Sequence, residues 1–321
     1  MNPVRTQLEL DKAPPDLINL VVAILVTCND LAERVSLGAL GEILGATESE
    51  NVQGEVQKKL DVVANNLLVE ALKAQGSVRT LASEEEDTVV GCTVGAPYIV
   101  AFDPLDGSSN IDINGQIGTI FTIFSARDDV PYDSEEQFFQ TGNDQLCGGY
   151  VLYGPYTTLV ISTGIAAHEF TLDKNTGEFI STRANFIFHN GTREFAANMA
   201  NLFYWSKHFQ NYLLGLIAPT AKSERFNMRW QGAMVGDVHR ILTRGGVFIY
   251  PNDSRDANQP AKLRLLYEAF PMALLVTAAG GLAYTETNAI LDTRLTLLHQ
   301  RTPVILGDSN LVTDCVTVLS S

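Results

Sequence analysis

The chain has 321 residues, enough for one large or two modest domains with cores of their own. Its composition, 45% hydrophobic and 18% charged, is typical of a folded globular protein and excludes a largely disordered one. The formal net charge of −15 argues against nucleic acid as a partner, because phosphate backbones are bound by excess lysine and arginine. An acidic protein that binds a phosphorylated small molecule needs bound cations and a few local lysines or arginines to offset its own charge at the site, so the acidity points mildly toward metals.

Cysteine usage and the N-terminus predict a cytoplasmic protein. The four cysteines, at positions 28, 92, 147 and 315, show neither the spacing of a zinc site nor a disulfide framework. The N-terminus lacks a basic region followed by an apolar stretch, so no signal peptide is predicted. The apolar stretch from Leu17 to Thr27 is too short to cross a bilayer and predicts a core helix. We therefore expect reduced cysteines and no membrane partner.

The first half of the chain predicts two helices followed by strands. Apolar residues at helical spacing predict helices from Asp16 to Arg34, with Asp16 as the N-cap, and from Val56 to Gln75. Short β-branched and aromatic segments predict five strands, at 78–82, 98–102, 119–124, 148–153 and 157–163. A hairpin is predicted from Ala167 to Thr182, around the turn at 174–177.

After about Phe188 the pattern changes, and we place a domain division near residue 190, giving domains 1–190 and 191–321. The segment from Thr192 to Leu216 is helical in parts. Further helices are predicted at 232–244 and 262–279, with a strand at 247–250 between them. This mixture of helices and strands predicts an α/β or α+β fold.

Acidic residues follow two of the predicted strands. Glu84, Glu85 and Glu86 come after the strand at 78–82, and Asp103 and Asp106 come after the strand at 98–102. Carboxylates at the ends of neighbouring strands converge at one edge of a sheet, and they raise one another's pKa unless cations neutralise them. Oxygen ligands without cysteine or histidine select magnesium or manganese over zinc. Taken alone, the glutamate run fits a solvated charged surface better than a metal site.

The segment from Asp103 to Asn110, with the sequence DPLDGSSN, strengthens the metal interpretation. Proline and glycine predict a tight turn, which would let the two aspartates face one cation. Gly107, Ser108 and Ser109 then offer backbone N–H groups and hydroxyls to a phosphate oxygen.

The same segment resembles the signature of the lithium-sensitive, magnesium-dependent phosphatases. Its extension SNID at 109–112 and the motif GTIF at 118–121 are similar to those of class 1 fructose-1,6-bisphosphatases. Further matches to this family run almost the full length of the chain and include NVQGE at 51–55, GYVLYGP at 149–155, MVGDVHR at 234–240, KLRLLYE at 262–268 and HQRTPV at 299–304.

The resemblance implies a fold, a reaction and a set of site residues. The fold would be a layered α/β/α/β/α sandwich, and the family generally forms homotetramers. The reaction would be in-line attack of water on the 1-phosphate of fructose 1,6-bisphosphate, giving fructose 6-phosphate, with Mg²⁺ or its substitute Mn²⁺ as cofactor. The implied metal ligands are Glu84, Glu85, Asp103, the Leu105 carbonyl, Asp106 and Glu268. The implied catalytic residues are Asp61 and Glu85, which activate the water, and Glu55 on a closing loop. The implied substrate contacts are Gly107, Ser108, Ser109, Asn198, Arg229 donated by a neighbouring subunit, Met234, Tyr250 and Lys262.

Some alternatives stay open at this stage. Sedoheptulose-1,7-bisphosphatase activity, alone or beside the fructose activity, is the nearest one, because one extra carbon discriminates weakly. Asn201 and Trp230 stand where related enzymes have tyrosines, so the distal phosphate site departs from the family pattern. The segment around Ala13 to Asp16 lacks the threonine-rich turn that binds AMP in animal members, so we expect weak or no inhibition by AMP.

Overall fold

The computed structural model describes residues 2–41, 44–50, 56–189, 191–218 and 225–320. Its α-helices are α1 Val4–Leu10, α2 Pro15–Leu37, α3 Lys59–Lys73, α4 Lys207–Ile217, α5 Met234–Arg244, α6 Phe270–Ala278 and α7 Ser309–Leu319. Its strands are β1 Ala46–Glu50, β2 Val56–Lys58, β3 Val78–Ser83, β4 Val90–Gly91, β5 Tyr98–Asp106, β6 Ile117–Ser125, β7 Gln145–Tyr153, β8 Thr157–Ser162, β9 Ala167–Asp173, β10 Glu178–Arg183, β11 Glu194–Ala197, β12 Asn227–Met228, β13 Val247–Tyr250, β14 Leu282–Tyr284 and β15 Val304–Gly307. A π-helical turn, Leu265–Ala269, leads into α6.

Two large sheets carry the fold. The first has eight strands in the order β10-β9-β8-β7-β6-β5-β3-β4, and the second has five in the order β12-β11-β13-β15-β14. Neighbouring strands of the first sheet are antiparallel except for β3 and β5, which run parallel. The parallel pair ends at the same edge of the sheet, which is where the site described below is built.

The hydrophobic core divides into three clusters, one for each helical layer. Helices α1 to α3 pack on the outer face of the first sheet. Helices α5 and α6 and the π-helical turn fill the space between the two sheets. Helices α4 and α7 cover the outer face of the second sheet. This arrangement is the predicted α/β/α/β/α sandwich. It also explains why β5 is buried along its whole length, since helices cover both faces of the sheet at that point.

Most elements predicted from the sequence are present. The five predicted strands and the antiparallel hairpin of β9 and β10 are confirmed, and several strands extend beyond the predicted bounds. The second predicted helix begins later than expected, at Lys59, because residues 56–58 form β2 instead. Asp16 is not the N-cap of α2. Pro14 takes that position and Pro15 starts the helix, where its missing N–H costs nothing. The division near residue 190 stays a prediction.

The length argument against a membrane span for α2 was wrong. The helical stretch Pro15–Gly41 is long and apolar enough to cross a membrane by length and composition. Much of it is buried inside the protein, and Leu20, Val21 and Leu31 are completely enclosed by the first core cluster beside the sheet. The burial, and not the length, therefore identifies α2 as a core helix.

Candidate active site

A cavity of about 500 Å³ lies where β3 and β5 end, between the two sheets. Its polar wall carries six carboxylates, from Asp61, Glu84, Glu85, Asp103, Asp106 and Glu268. Three cationic residues also line it, Lys58, Lys262 and Arg264. An apolar wall is formed by Trp230, Met234, Phe248, Tyr250 and Leu263. The cavity is large enough for a small phosphorylated ligand.

Asp103 and Asp106 are held in place by backbone N–H groups. Oδ1 of Asp103 accepts a hydrogen bond from the N–H of Leu105 at 2.9 Å, and Oδ2 of Asp106 accepts one from the N–H of Val235 at 2.7 Å. Val235 lies in the first turn of α5, so Asp106 also receives the favourable field of a helix N-terminus. The predicted tight turn at this point was wrong, because β5 continues through Asp106 with an irregular register against β6.

Glu268 reaches the same place from the other side of the cavity. Its carboxylate oxygen and those of Asp103 and Asp106 lie within 4.8 Å of one another, and all three residues are buried. Glu268 belongs to the π-helical turn, a rare element that is frequent at functional sites. The helix predicted from Lys262 begins only at Leu265, because residues 263–265 make backbone hydrogen bonds with residues 300–302 instead.

Arg264 is a buried guanidinium inside the acidic cluster. It makes an ion pair with Glu84, and its Nη1 lies 3.9 Å from Oε2 of Glu268. Its backbone N–H donates to the same Glu268 oxygen at 2.6 Å. Arg264 is not among the site residues predicted from the sequence. Its spacing of four residues from Glu268 is typical of an ion pair on a helix and gives no indication of burial.

The run of three glutamates divides between the cavity and its surroundings. Glu84 and Glu85 line the cavity, and the N–H of Glu84 donates to the carbonyl of Phe102 at 3.0 Å, which continues the pairing of β3 with β5. Glu86 turns away from the cavity and accepts a hydrogen bond from Asn65 on α3 at 2.7 Å. The solvated-surface interpretation therefore does not hold for Glu84, which is buried.

Burial raises the pKa of the clustered carboxyls. Desolvation is the largest cause, and repulsion between neighbouring carboxylates adds to it, so the pKa of Glu84 and that of Asp106 each rise to about 8. The pKa of Asp103 also rises well above its usual value, for the same reasons. The positive charge of Arg264 opposes these shifts but does not cancel them. Near neutral pH the cluster therefore holds protons that a divalent cation would displace.

The segment after Asp106 forms a concave backbone cradle. Gly107 has a φ of +80°, and a Cβ atom added there would lie 2.4 Å from Cβ of Ala233. Only glycine fits this position without strain. The turn that follows presents Ser108 and Ser109 to the cavity.

The predicted distal contacts line the same cavity. Asn198, Met234, Tyr250 and Lys262 all border it. Trp230 borders the cavity as well. In the structure its ring stacks on Phe248, with centroids 6.1 Å apart and an interplanar angle of 20°, so it forms part of the apolar wall.

Other predicted residues lie elsewhere. Glu55 lies outside the described residues. Arg229 is exposed and donates to the carbonyl of Met228 at 3.2 Å, away from the cavity lining. Asp61 borders the cavity and also has a structural role, because its Oδ2 accepts the N–H of Lys58 at 2.8 Å and caps α3. Asn201 is buried and does not border the cavity.

The donor set fits a hard divalent cation. Asp103, Asp106 and Glu268 provide three carboxylate oxygens close enough to share one ion, and Glu84, Glu85 and the Leu105 residue border the same space. Neither cysteine nor histidine is among the residues that line the described cavity. Oxygen-only ligands of this kind favour magnesium or manganese.

Comparison with known proteins agrees with the site geometry. The family model described as "Fructose-1-6-bisphosphatase, N-terminal domain" matches residues 3–184, and the one described as "Fructose-1-6-bisphosphatase, C-terminal domain" matches residues 188–320. The class 1 fructose-1,6-bisphosphatase of Cellvibrio japonicus is 55% identical over 97% of both chains. That of Saccharophagus degradans is 52% identical over the full length of both.

Solved structures lead to the same family. The holo form of Leishmania major fructose-1,6-bisphosphatase superposes with a TM-score of 0.93 at 36% identity, covering 100% of this chain and 99% of that one. The T-state form of the same enzyme superposes with a TM-score of 0.87 at 34% identity and the same coverage. Matches of this length and identity show that the chain belongs to the class 1 fructose-1,6-bisphosphatase family.

Proposed function

We propose that the protein hydrolyses the 1-phosphate of fructose 1,6-bisphosphate, giving fructose 6-phosphate and inorganic phosphate. The observation that carries this proposal is the convergence of Asp103, Asp106 and Glu268, from two separate parts of the chain, in a cavity that Lys262 also lines. An acidic centre beside a phosphate cradle suits the reacting phosphate. A lysine in the same cavity suits the phosphate that remains on the product.

The acidic cluster would hold the metal. Asp103, Asp106 and Glu268 would bind it directly, with Glu84, Glu85 and the Leu105 carbonyl as further ligands. We propose Mg²⁺, with Mn²⁺ as a substitute. When bound, such an ion neutralises charge on the phosphate and makes the attacking water more acidic.

The remaining residues bind the substrate and move one proton. Ser108, Ser109 and the Gly107 backbone would bind the oxygens of the reacting phosphate. Asp61 and Glu85 also border the cavity and would accept the proton of the attacking water.

Binding of the distal phosphate would orient the reacting one. Asn198, Tyr250 and Lys262 would hold the distal phosphate, and Met234 would contact the sugar. Energy from these remote contacts fixes the geometry at the reacting end, which explains a preference for a bisphosphate over a monophosphate. Arg229 would act from a neighbouring subunit of a homotetramer, and Glu55 would close over the site.

A substrate panel with and without EDTA tests the proposal. Phosphate release is measured on fructose 1,6-bisphosphate, sedoheptulose 1,7-bisphosphate and the two fructose monophosphates, with the sugar product identified as the 6- or the 1-phosphate. We expect metal-dependent release that is fastest with fructose 1,6-bisphosphate and yields the 6-phosphate. Release that is insensitive to EDTA, or faster on a monophosphate, would contradict the proposal.

Two neighbouring glutamates provide a matched pair of variants. Glu84→Gln alters the cavity and is expected to lower phosphate release by about two orders of magnitude or more. Glu86→Gln alters an adjacent residue whose contact with Asn65 a glutamine can keep, so its activity should stay close to that of the wild type.

A further inference from the structure

The motif GTIF at 118–121 has no place in the cavity, yet one of its residues touches the backbone of the metal-binding segment. Between Asp103 and Asp106 the register of β5 against β6 shifts, so that Pro104 and Leu105 together stand opposite Thr119. Two residues facing one is a β-bulge, a feature that re-aims side chains next to active sites. Proline has no N–H to donate, which weakens the normal pairing at this point.

The Thr119 side chain pairs with the carbonyl of this proline. Its hydroxyl donates to the carbonyl of Pro104 at 2.9 Å. The N–H on the other side of the same peptide plane belongs to Leu105, and it donates to Oδ1 of Asp103 at 2.9 Å. Because a peptide unit is planar, a hydrogen bond at one end fixes the direction of the other end. The Thr119 hydroxyl thereby sets the direction of the N–H that holds the Asp103 carboxylate.

A buried tyrosine orients this hydroxyl. Oγ1 of Thr119 lies 2.9 Å from the hydroxyl of Tyr153, at the end of β7. Since Thr119 has one proton and gives it to the Pro104 carbonyl, Tyr153 must be the donor in their contact. The thiol of Cys28, on α2, interacts with both hydroxyls, and burial keeps it protonated by raising its pKa to about 12. All three side chains are buried.

We propose that Thr119, oriented by Tyr153, is a positioning residue that fixes the Pro104–Leu105 peptide and, through it, the Asp103 carboxylate for metal binding. The inference rests on the proposed metal site, because it concerns how one of its ligands is held. Thr119 does not border the cavity, so it contacts neither the substrate nor the reacting atoms. Groups that hold metal ligands in place change metal affinity by about 10- to 100-fold when they are removed.

Thr122 provides a matched control on the same strand. Like Thr119 it is completely buried, and its hydroxyl donates to Oε1 of Gln145 at 2.7 Å, away from the cavity. Thr119→Val and Thr122→Val each remove one buried hydroxyl while keeping the shape of the side chain. A purely structural role for Thr119 predicts the same behaviour for both variants. A positioning role predicts a difference in metal binding.

The test is a titration of EDTA-treated, full-length protein with Mn²⁺ in the absence of substrate, followed by the rise in melting temperature. We expect the half-saturating Mn²⁺ concentration to increase about 10- to 100-fold for Thr119→Val and to stay within about threefold of wild type for Thr122→Val. Thr119→Ser keeps the hydroxyl and should restore wild-type binding. In activity assays at saturating metal, the KM of Thr119→Val for the bisphosphate should be unchanged.

Tyr153→Phe decides the question if Thr119→Val does not fold. It removes the donor that orients Thr119, and it should raise the half-saturating Mn²⁺ concentration in the same direction. The inference would be overturned if Thr119→Val and the wild type had the same half-saturating Mn²⁺ concentration. If only Tyr153→Phe folds, the same result for that variant would overturn it. Absence of any stabilisation of the wild type by Mn²⁺ would instead contradict the proposed metal site.

Discussion

Replacing Asp106 by asparagine should remove metal binding and yet stabilise the metal-free protein at alkaline pH. Asparagine keeps the shape of the side chain, and its carbonyl oxygen can still accept the N–H of Val235. It removes one charge from a group whose pKa is raised mainly by burial and then by Glu268. The charge therefore costs the folded state free energy whenever Asp106 is ionised without a cation beside it.

The sign and size of the effect follow from linkage. The folded state retains a proton on Asp106 that the unfolded state has already released, so stability falls as pH rises from about 4 to about 8. The pKa moves from 3.8 to about 8, and each pH unit corresponds to about 1.4 kcal/mol, which sets an upper bound of about 6 kcal/mol. Because the carboxyls share their mutual repulsion, we expect a gain in the free energy of unfolding of about 2–4 kcal/mol for Asp106→Asn at about pH 8.5.

Chemical denaturation of EDTA-treated wild type and Asp106→Asn across about pH 5 to 9 measures this difference. The gap in favour of the variant should be smallest at the acid end of this range and should widen as pH rises toward 8. Added Mn²⁺ should stabilise the wild type and leave the variant unchanged. A variant that is less stable than the metal-free wild type at about pH 8.5 would refute the reasoning about the buried cluster.

Three further variants test separate parts of the site. Arg264→Met should lose about 1 kcal/mol more stability at about pH 8.5 than at about pH 6 in metal-free denaturation curves, because the pKa of its buried partner Glu84 is about 8 and the carboxylate is ionised only at the higher pH. Equal losses at the two pH values would contradict this. Gly107→Ala should lower the free energy of unfolding by about 2 kcal/mol more than Gly95→Ala. Both glycines have a positive φ, but only at Gly107 would the added Cβ clash with a neighbour, Ala233. Equal melting temperatures of the two variants would count against the tight cradle. Lys262→Ala should raise the KM for the bisphosphate about 10- to 100-fold and leave Mn²⁺ binding at the wild-type level. A change in Mn²⁺ binding would instead place Lys262 in the metal site.

The convergence of two acidic segments could be predicted from local sequence because strand ends are a local feature. Glu84 and Asp103 both follow short apolar segments, and such segments are found here as parallel neighbours in one sheet. The preference for magnesium or manganese then followed from the carboxylate side chains. The shape of the segment did not follow, because proline and glycine indicated a turn, whereas a bulge keeps residues 104–106 within β5.

Contacts between distant parts of the chain needed the family resemblance or the structure. Glu268 came only from the resemblance, since nothing near it in the sequence indicates that it meets Asp103. The burial of Arg264 could not be predicted from its sequence neighbourhood, because lysine and arginine on a helix are usually solvated. The contact of Thr119 with the Pro104 carbonyl depends on a register shift that no periodicity in the sequence reveals.

Equilibrium binding of Mn²⁺, followed by the loss of the free-ion electron paramagnetic resonance signal, tests the central claim most directly. That claim is that Glu268 shares an ion with Asp103 and Asp106. Wild-type protein should bind Mn²⁺, and Glu268→Gln should bind it at least about tenfold more weakly, since one anionic ligand is lost. Equal binding by the two proteins would contradict the account.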